Sequence, residues 1–337
     1  MSAKAKYIAL LVITILGIGI FLGVKYYMVW NRANVQNEGK LYIGSQATWT
    51  DLQDSIKPFI IHWDDFLEAA EKETLSKHIR PGRYSIEKGW SNKELIRFLK
   101  LGAQDEIPIR IGNYHTVMHM AHRITPFLEM DSLALMEALA TSTMTDGLEP
   151  YQWQYFIMPN TYNFFWAVNP EDFVKQMEKV YTNFWTEERK EKAKAIGYTP
   201  YEVMTLASIV QLESYQEEEQ PTVAGVYLNR LKVGMKLDAD PTVIFAWSVA
   251  HPQEAPLKRV LFKHLKVVNS YNTYVYRGLP PGPICMPNPS AVEAVLNADD
   301  HDYYYFVANT EKAGYHIFAK TYQEHLVNAR KYRSTLN

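Results

Sequence analysis

An unbroken uncharged run from Tyr7 to Val24, YIALLVITILGIGIFLGV, stands near the N-terminus between Lys4 and Lys6 on one side and Lys25 on the other. Wound as a helix it spans roughly 27 Å, close to the ~30 Å hydrocarbon core of a bilayer. Tyr26, Tyr27 and Trp30 follow and suit the membrane interface, where amphipathic rings collect. Two other readings compete. A cleaved leader has a shorter apolar stretch and small residues at its cut, and Lys25-Tyr26-Tyr27-Met28-Val29-Trp30 is a poor cleavage context. A buried core helix is the other alternative. The run is read as a single uncleaved anchor with its basic flank in the cytoplasm. Residues 31–337 are then exported and work close to a membrane, and no other segment is long and apolar enough to span.

The chain has 337 residues, a length that suggests about two domains. Apolar residues make up 47% and charged residues 21%, a globular balance that excludes wholesale disorder and a collagen-like chain. Lys plus Arg total 35 against 37 Asp plus Glu, so no basic field exists to hold nucleic-acid phosphates, and no nucleic-acid partner is expected. The single cysteine, Cys285, excludes an intrachain disulfide framework and a cysteine-based zinc site, and is read as a small buried residue. His115, His119 and His122 could share one helix face, but no accompanying carboxylate pattern makes them a metal site. They are read as a solvated helix, and neither a metal nor a cofactor is expected. Trp153, Trp166 and Trp247 are assigned to core packing.

The expected fold class is α+β: a transmembrane helix, a small α+β subdomain and a larger α+β domain. Residues 1–30 form the tip and anchor. Residues 31–110 hold a polar stalk over 31–50 and the small subdomain. Residues 111–150 form a helical linker and 151–337 the large domain. Strands are expected near Lys40–Ile43, over Arg83–Ile86 after the Pro81-Gly82 turn, and over Ile107–Ile111. Ser91 to Glu94 is a capping box, followed by Leu95, Ile96, Phe98 and Leu99 at helical spacing and a Gly102 stop. A helical stretch is predicted over 114–145. Further helices are predicted over 171–195, 200–216, 219–232, 290–298 and 320–334, with strands near 272–276 and 303–308. The acidic run Glu217–Glu219 reads as a solvated helix face or first turn.

Thr199-Pro200-Tyr201-Glu202 is a strong helix start, with a capping threonine, proline at the first helical position and the box completed by Glu202. Val203, Leu206, Ala207 and Val210 form an apolar stripe, Glu213 falls on its edge, and Gln211 points away. Partial burial would raise the Glu213 pKa and keep it protonated near neutral pH, as a general acid requires. A helix-end Glu facing solvent or capping a neighbour is the alternative. Downstream, Asn229-Arg230-Leu231, the Asp240-Pro241-Thr242 turn and Tyr271-Asn272-Thr273-Tyr274 supply polar and aromatic groups. The rigid Gly278-Leu279-Pro280-Pro281-Gly282 loop suits one wall of a groove. Such clusters suit sugars, which offer hydroxyls to bond and C–H faces to stack; ordinary turns are the alternative.

Taken in order, five segments resemble the MltG/YceG-like family of membrane-anchored endolytic murein transglycosylases. They are Leu206 to Glu213, Asn229-Arg230-Leu231, Asp240-Pro241-Thr242-Val243, Tyr271-Asn272-Thr273-Tyr274 and Gly278 to Gly282. Met158 to Tyr162, Tyr304 to Ala308, His316 to Phe318 and the stretch from Arg80 to Gly102 resemble further parts of it, the last a LysM-like subdomain. The family's catalytic glutamate is the second Glu of an Ile-Val/Ile-Glu-Lys-Glu-Thr stretch and matches Glu213; the first matches Gln211, a departure. The family's Pro-Asp-Thr is Pro159-Asn160-Thr161 here.

The resemblance implies a peptidoglycan lytic transglycosylase, a lyase. Protonated Glu213 would protonate the glycosidic oxygen between N-acetylmuramic acid and N-acetylglucosamine. Its carboxylate would then deprotonate the muramic C6 hydroxyl, which closes a 1,6-anhydro end. No water is consumed and no metal required. Asn229, Asp240, Thr242, Asn272 and Tyr274 would hold the glycan or orient Glu213. The resemblance also implies an inner-membrane protein with a periplasmic catalytic part. It would terminate nascent strands beside glycan-polymerising synthases of the penicillin-binding type. A water-using muramidase and a non-catalytic glycan-binding scaffold are the alternatives.

Overall fold

A computed structural model describes residues 2–254 and 257–335, which form mixed helix and sheet in two compact units. The first takes residues 1–108, 127–129 and 163–168; the second takes 109–126, 130–162 and 169–337.

The first unit begins with α1 (Ala3–Trp30), the one helix among the described residues that is long and apolar enough to cross a membrane. Its most apolar stretch has a mean hydropathy of 2.6 and no protein covering it. Its last turn is different. Val29 is 2% exposed, its carbonyl accepts from Asn92 Nδ2 at 2.8 Å, and Lys25 pairs with Glu68 at 3.3 Å. After α1 come β1 (Gly39–Ile43), α2 (Trp49–Ile56), α3 (Trp63–Lys72), β2 (Gly82–Ile86) and α4 (Asn92–Leu101). β1 and β2 pair antiparallel with Leu41 opposite Tyr84, and alternate residues of each turn inward. Ser91 and Glu94 close the expected capping box, and Gly102, at φ +69°, ends α4. Ile56, Phe66, Leu75, Tyr84 and Leu95 centre the core.

The expected stalk is corrected in its first part. Ala33 and Val35 bridge to Ser91 and Ile60, and buried Asn34 bonds His62 and Asn92. A buried asparagine must spend its amide on partners, and here those partners lie in the folded unit.

β3 (Glu106–Ile111) and β4 (Asn160–Phe165) pair as a ribbon. The second unit adds α5 (Val117–Ile124), α6 (Ser132–Ala140), α7 (Pro170–Phe184), α8 (Glu187–Ala195), α9 (Pro200–Glu213) and α10 (Gln220–Lys232). It continues with α11 (Asp240–Ala250), α12 (Pro289–Leu296), the antiparallel pair β5 (Tyr305–Ala308) and β6 (His316–Ala319), and α13 (Tyr322–Ser334). The helix expected over 171–195 breaks at Trp185, and Thr186 caps a second one. The strand expected at 272–276 is a turn, because the Asn272 side chain takes the bonds a ladder would make. The stretch over 114–145 divides into α5, α6 and short turns.

α9 is the axis of this unit, packed against α8, α10, α11 and α12. Every residue from Val203 to Gln211 is buried, so the expected stripe is in fact a helix buried all round. Its hydroxyls turn back on its own chain, Thr205 to the Tyr201 carbonyl and Ser208 to that of Thr205. Cys285 is fully buried, and His115, His119 and His122 are exposed. Trp153 is buried, whereas Trp166 and Trp247 are part-exposed. The acidic run also departs from expectation. Glu219 is 6% exposed and accepts from Ser214 Oγ at 2.9 Å and from the His316 backbone N–H at 2.7 Å.

Candidate active site

Local sequence sets where α9 begins. Thr199 accepts from the Glu202 N–H at 3.3 Å, Glu202 accepts from the Thr199 N–H at 2.8 Å, and Pro200 needs no donor there. Glu213 is the last residue of α9, beyond its buried stretch, and is part-exposed. It lines a cavity of about 350 Å³ with Arg230 of α10, Met235, Asp238, Asp240 and Tyr274, and with Tyr305, Phe306, Tyr322 and His325. Asp240 opens α11, Tyr305 and Phe306 lie on β5, and Tyr322 and His325 on α13.

The Glu213 carboxyl is pushed up from its ordinary 4.5 to about 7. Burial is the largest cause, and the Asp240 charge adds to it; a hydrogen bond from Tyr227 and the Arg230 charge pull the other way. Tyr227, on α10, is 1% exposed. Burial and the neighbouring Glu213 lift its phenol well above the usual range, so it stays protonated and donates to Glu213. Arg230 is held in place by the Tyr304 carbonyl at 2.6 Å and the Leu237 carbonyl at 2.5 Å. The result is a carboxyl that holds its proton well above the ordinary carboxylate range, with a fixed cation and a fixed phenol beside it.

Three of the six residues singled out in the sequence share this cavity: Glu213, Asp240 and Tyr274. The Tyr274 hydroxyl donates to Asp240 Oδ1 at 2.8 Å. Asn229, Thr242 and Asn272 do not line it. The Asn229 amide donates to the carbonyls of His301 at 2.7 Å and Tyr303 at 3.2 Å. Thr242, fully buried, donates to the Ala239 carbonyl at 2.6 Å and lies 2.8 Å from Thr273 Oγ1. Asn272, fully buried, donates to the carbonyls of Leu265 and Val267 at 2.9 and 2.8 Å and accepts from the Tyr274 N–H at 3.0 Å. These three brace the loops that carry Tyr274 and the β5 approach. Polar residues at turns read alike in a sequence whether they face a ligand or the backbone.

No site role is read from the sequence for Asp238, Arg230 or the aromatic wall. Asp238 is one of two non-glycine residues with positive φ among the described residues, at +46°, and burial raises its carboxyl pKa against the pull of Arg230 and Lys236. Left-handed non-glycine residues gather at functional sites. Tyr305 stacks on His325 with ring centroids 5.4 Å apart, and Tyr322 lies 6.2 Å from the same ring. Tyr322 and His325 stand three residues apart on a helix, the spacing that brings two side chains to one face, so this pair was legible.

Gln211 lies elsewhere. Its carbonyl oxygen accepts from the Asn288 N–H at 2.5 Å and its amide nitrogen lies 3.9 Å from Cys285 Sγ. Asn160 is exposed, its side-chain oxygen taken by the Thr161 N–H at 2.7 Å. The Gly278–Pro281 loop walls a second, open groove of about 650 Å³ with Tyr198, Tyr201, Thr205 and Leu231. Tyr201 and Gln152 both donate to the Pro281 carbonyl at 2.9 Å, which pins the loop. A Cβ at Gly282 would collide with the Tyr201 hydroxyl and lie 3.1 Å from that of Tyr271, so only glycine fits there. Among the described residues no group of three His, Cys, Asp or Glu could hold a metal ion.

Comparison with known proteins gives one consistent family. The chain is 37% identical over 183 residues to the endolytic murein transglycosylase of Bacillus subtilis (strain 168), covering 54% of this chain and 48% of that one. It is 24% identical over 292 residues to the endolytic murein transglycosylase of Streptococcus pneumoniae serotype 2 (strain D39 / NCTC 7466), covering 77% of this chain and 52% of that one. The chain therefore spans about half the length of these relatives. A 2.6 Å crystal structure of a yceG-like protein from Listeria monocytogenes shares the fold, with a TM-score of 0.56 at 22% identity over 86% of this chain and 99% of that one. The model of the YceG-like family matches residues 41–331, and with that span of the sequence accounted for, the chain belongs to the YceG-like family.

Proposed function

We propose that this protein is an endolytic peptidoglycan lytic transglycosylase with Glu213 as its general acid and then its general base. The observation that carries the reading is the Glu213 carboxyl, raised to about 7 in a cavity that also presents Arg230, Tyr274 and a stacked aromatic wall. A protonated carboxyl there can donate to the oxygen between N-acetylmuramic acid and N-acetylglucosamine. Arg230 then steadies the carboxylate that remains. That carboxylate takes the proton of the muramic C6 hydroxyl as the hydroxyl attacks C1, which closes the 1,6-anhydro ring. Tyr305, Tyr322 and His325 offer ring faces to sugars, and Asp240 and Tyr274 offer bonds to hydroxyls. Asn229, Thr242 and Asn272 act behind them as braces. The names of the relatives support this choice of substrate.

In the same reading α1 anchors the chain in the inner membrane with residues 1–30 as tip and span, its N-terminus cytoplasmic and its catalytic part outside. The first unit is LysM-like and the second carries the catalysis. Such a tether sets the enzyme on nascent strands, where endolytic cuts end polymerisation beside penicillin-binding synthases.

The test is product mass on purified glycan. Strands cut by wild type carry ends lighter by one water than a hydrolase would leave, and Glu213→Gln leaves the strands intact. Cleavage by Glu213→Gln at a rate near that of wild type rejects the assignment. One observation favours a second reading: Asp238 and Asp240 face the same cavity as Glu213, and hydrolysing glycosidases use two carboxyl groups. Products that carry the extra water would identify the muramidase.

A further inference from the structure

A further cavity of about 390 Å³ lies in the first unit, where α1 ends. Trp30, Glu73, Lys93, Arg97, Lys100 and Leu101 line it. Lys93, Arg97 and Lys100 stand at i, i+4 and i+7 on α4, so they share one face. Lys100 is already committed, to Glu73 Oε2 at 2.7 Å. Lys93 and Arg97 are exposed and form no ion pair among the described residues.

The position of this cavity follows from how α1 joins the fold. Val29 is in the core, Asn92 at the start of α4 bonds the Val29 carbonyl, and the helix runs unbroken from Ala3 to Trp30. No flexible spacer lets the unit drift from the end of the helix. The apolar run stops at Val24, and Trp30 stands six residues on, roughly 9 Å along the axis. The polar layer on each side of a bilayer's hydrocarbon core is about 5–8 Å thick. Centred in a core of ~30 Å, the ~27 Å run leaves Trp30, an interfacial residue type, about 7–8 Å beyond the core edge, so Trp30 and the two free cations stand at the outer face of the headgroup layer.

We propose that this cavity binds the phosphate of an anionic phospholipid headgroup, with Lys93 and Arg97 on the phosphate and Trp30 and Leu101 against the carbon skeleton of the headgroup. The proposal rests on the reading of α1 as a membrane anchor. It gives the first unit a second hold on the bilayer, and ties its height above the surface to lipid charge.

The experiment uses the full chain in mild detergent. Phosphatidylglycerol, phosphatidylcholine or inorganic phosphate is titrated in turn, and the thermal midpoint and the lipid retained in native mass spectra are followed. Phosphatidylglycerol should stabilise saturably, whereas phosphatidylcholine and inorganic phosphate should do so weakly or not at all. Lys93→Ala with Arg97→Ala should weaken apparent phosphatidylglycerol affinity about 30-fold, two surface cations' worth. Both side chains are exposed, so the double variant keeps the core intact. Equal response to both lipids, unchanged affinity in the double variant, or an equal effect of inorganic phosphate would each overturn the headgroup site. Extraction of membranes with alkaline carbonate separates this from the anchor: protein released into the supernatant rejects the anchor, whereas retained protein without lipid preference rejects the headgroup site alone.

Discussion

A carboxyl donates a proton near neutral pH only where ionisation is costly, and Glu213 owes that cost first to burial and next to Asp240. Its folded pKa of about 7 exceeds its ordinary 4.5, so between those values the native state holds more protons than the unfolded chain. Stability should fall as pH rises through that window and then level off. Glu213→Gln should therefore raise the unfolding free energy at pH 8 by on the order of 2 kcal/mol and leave it unchanged near pH 4. Cleavage by wild type should decline as pH rises through about 7, while Glu213→Gln should be slower by roughly 10²–10⁴-fold below that pH and show no such decline. Calorimetry and a pH–rate profile check both. Gln211→Glu should stay active, because Gln211 is outside the cavity and a Glu keeps the acceptor for the Asn288 N–H. An inactive but folded Gln211→Glu would move the chemistry away from a single carboxyl.

Among the elements, the turn that carries Tyr274 is held from below. Asn272→Ala would strip two carbonyls and one N–H of their partner, at a cost of about 1–3 kcal/mol for each group left buried and unpaired. Thermal unfolding should show that loss. Product analysis should show slower cleavage at the same bond, since Tyr274 and through it Asp240 lose their fixed position. The end of α1 is the other sensitive element. Removing residues 1–30 discards Val29, which is 2% exposed, and leaves Asn92 without its carbonyl partner. A chain that begins at Met28 should keep the first unit folded. One that begins at Asn31 should lose on the order of 2–4 kcal/mol, read by denaturant titration.

For the whole molecule, the proposed tether and the proposed chemistry belong to different parts of the chain, because the Glu213 cavity takes no residue from α1. A chain begun at Met28 should cut the same bond as the full chain on purified glycan. On nascent strands made by membrane-bound synthases it should be the weaker of the two, since effective concentration falls once the tether is gone. Equal action on nascent strands would remove the tether from the proposed function.

Local signals in the sequence determined much of this protein. The apolar run determined α1, and the two capping boxes at Ser91 and Thr199 determined where α4 and α9 begin, although α9 ends at Glu213 and not at the expected residue 216. Each depends on groups within a few residues of one another, which is why it can be read from the chain alone. Tertiary structure decided which side chains meet Glu213. Arg230, Asp238, Tyr305 and His325 come from α10, a left-handed turn, β5 and α13, and only packing around the buried α9 brings them to one cavity. The same packing turned Asn229, Thr242 and Asn272 toward backbone carbonyls. A polar side chain in a turn is satisfied equally by a ligand or by a carbonyl, and long-range contacts alone settle which one it faces.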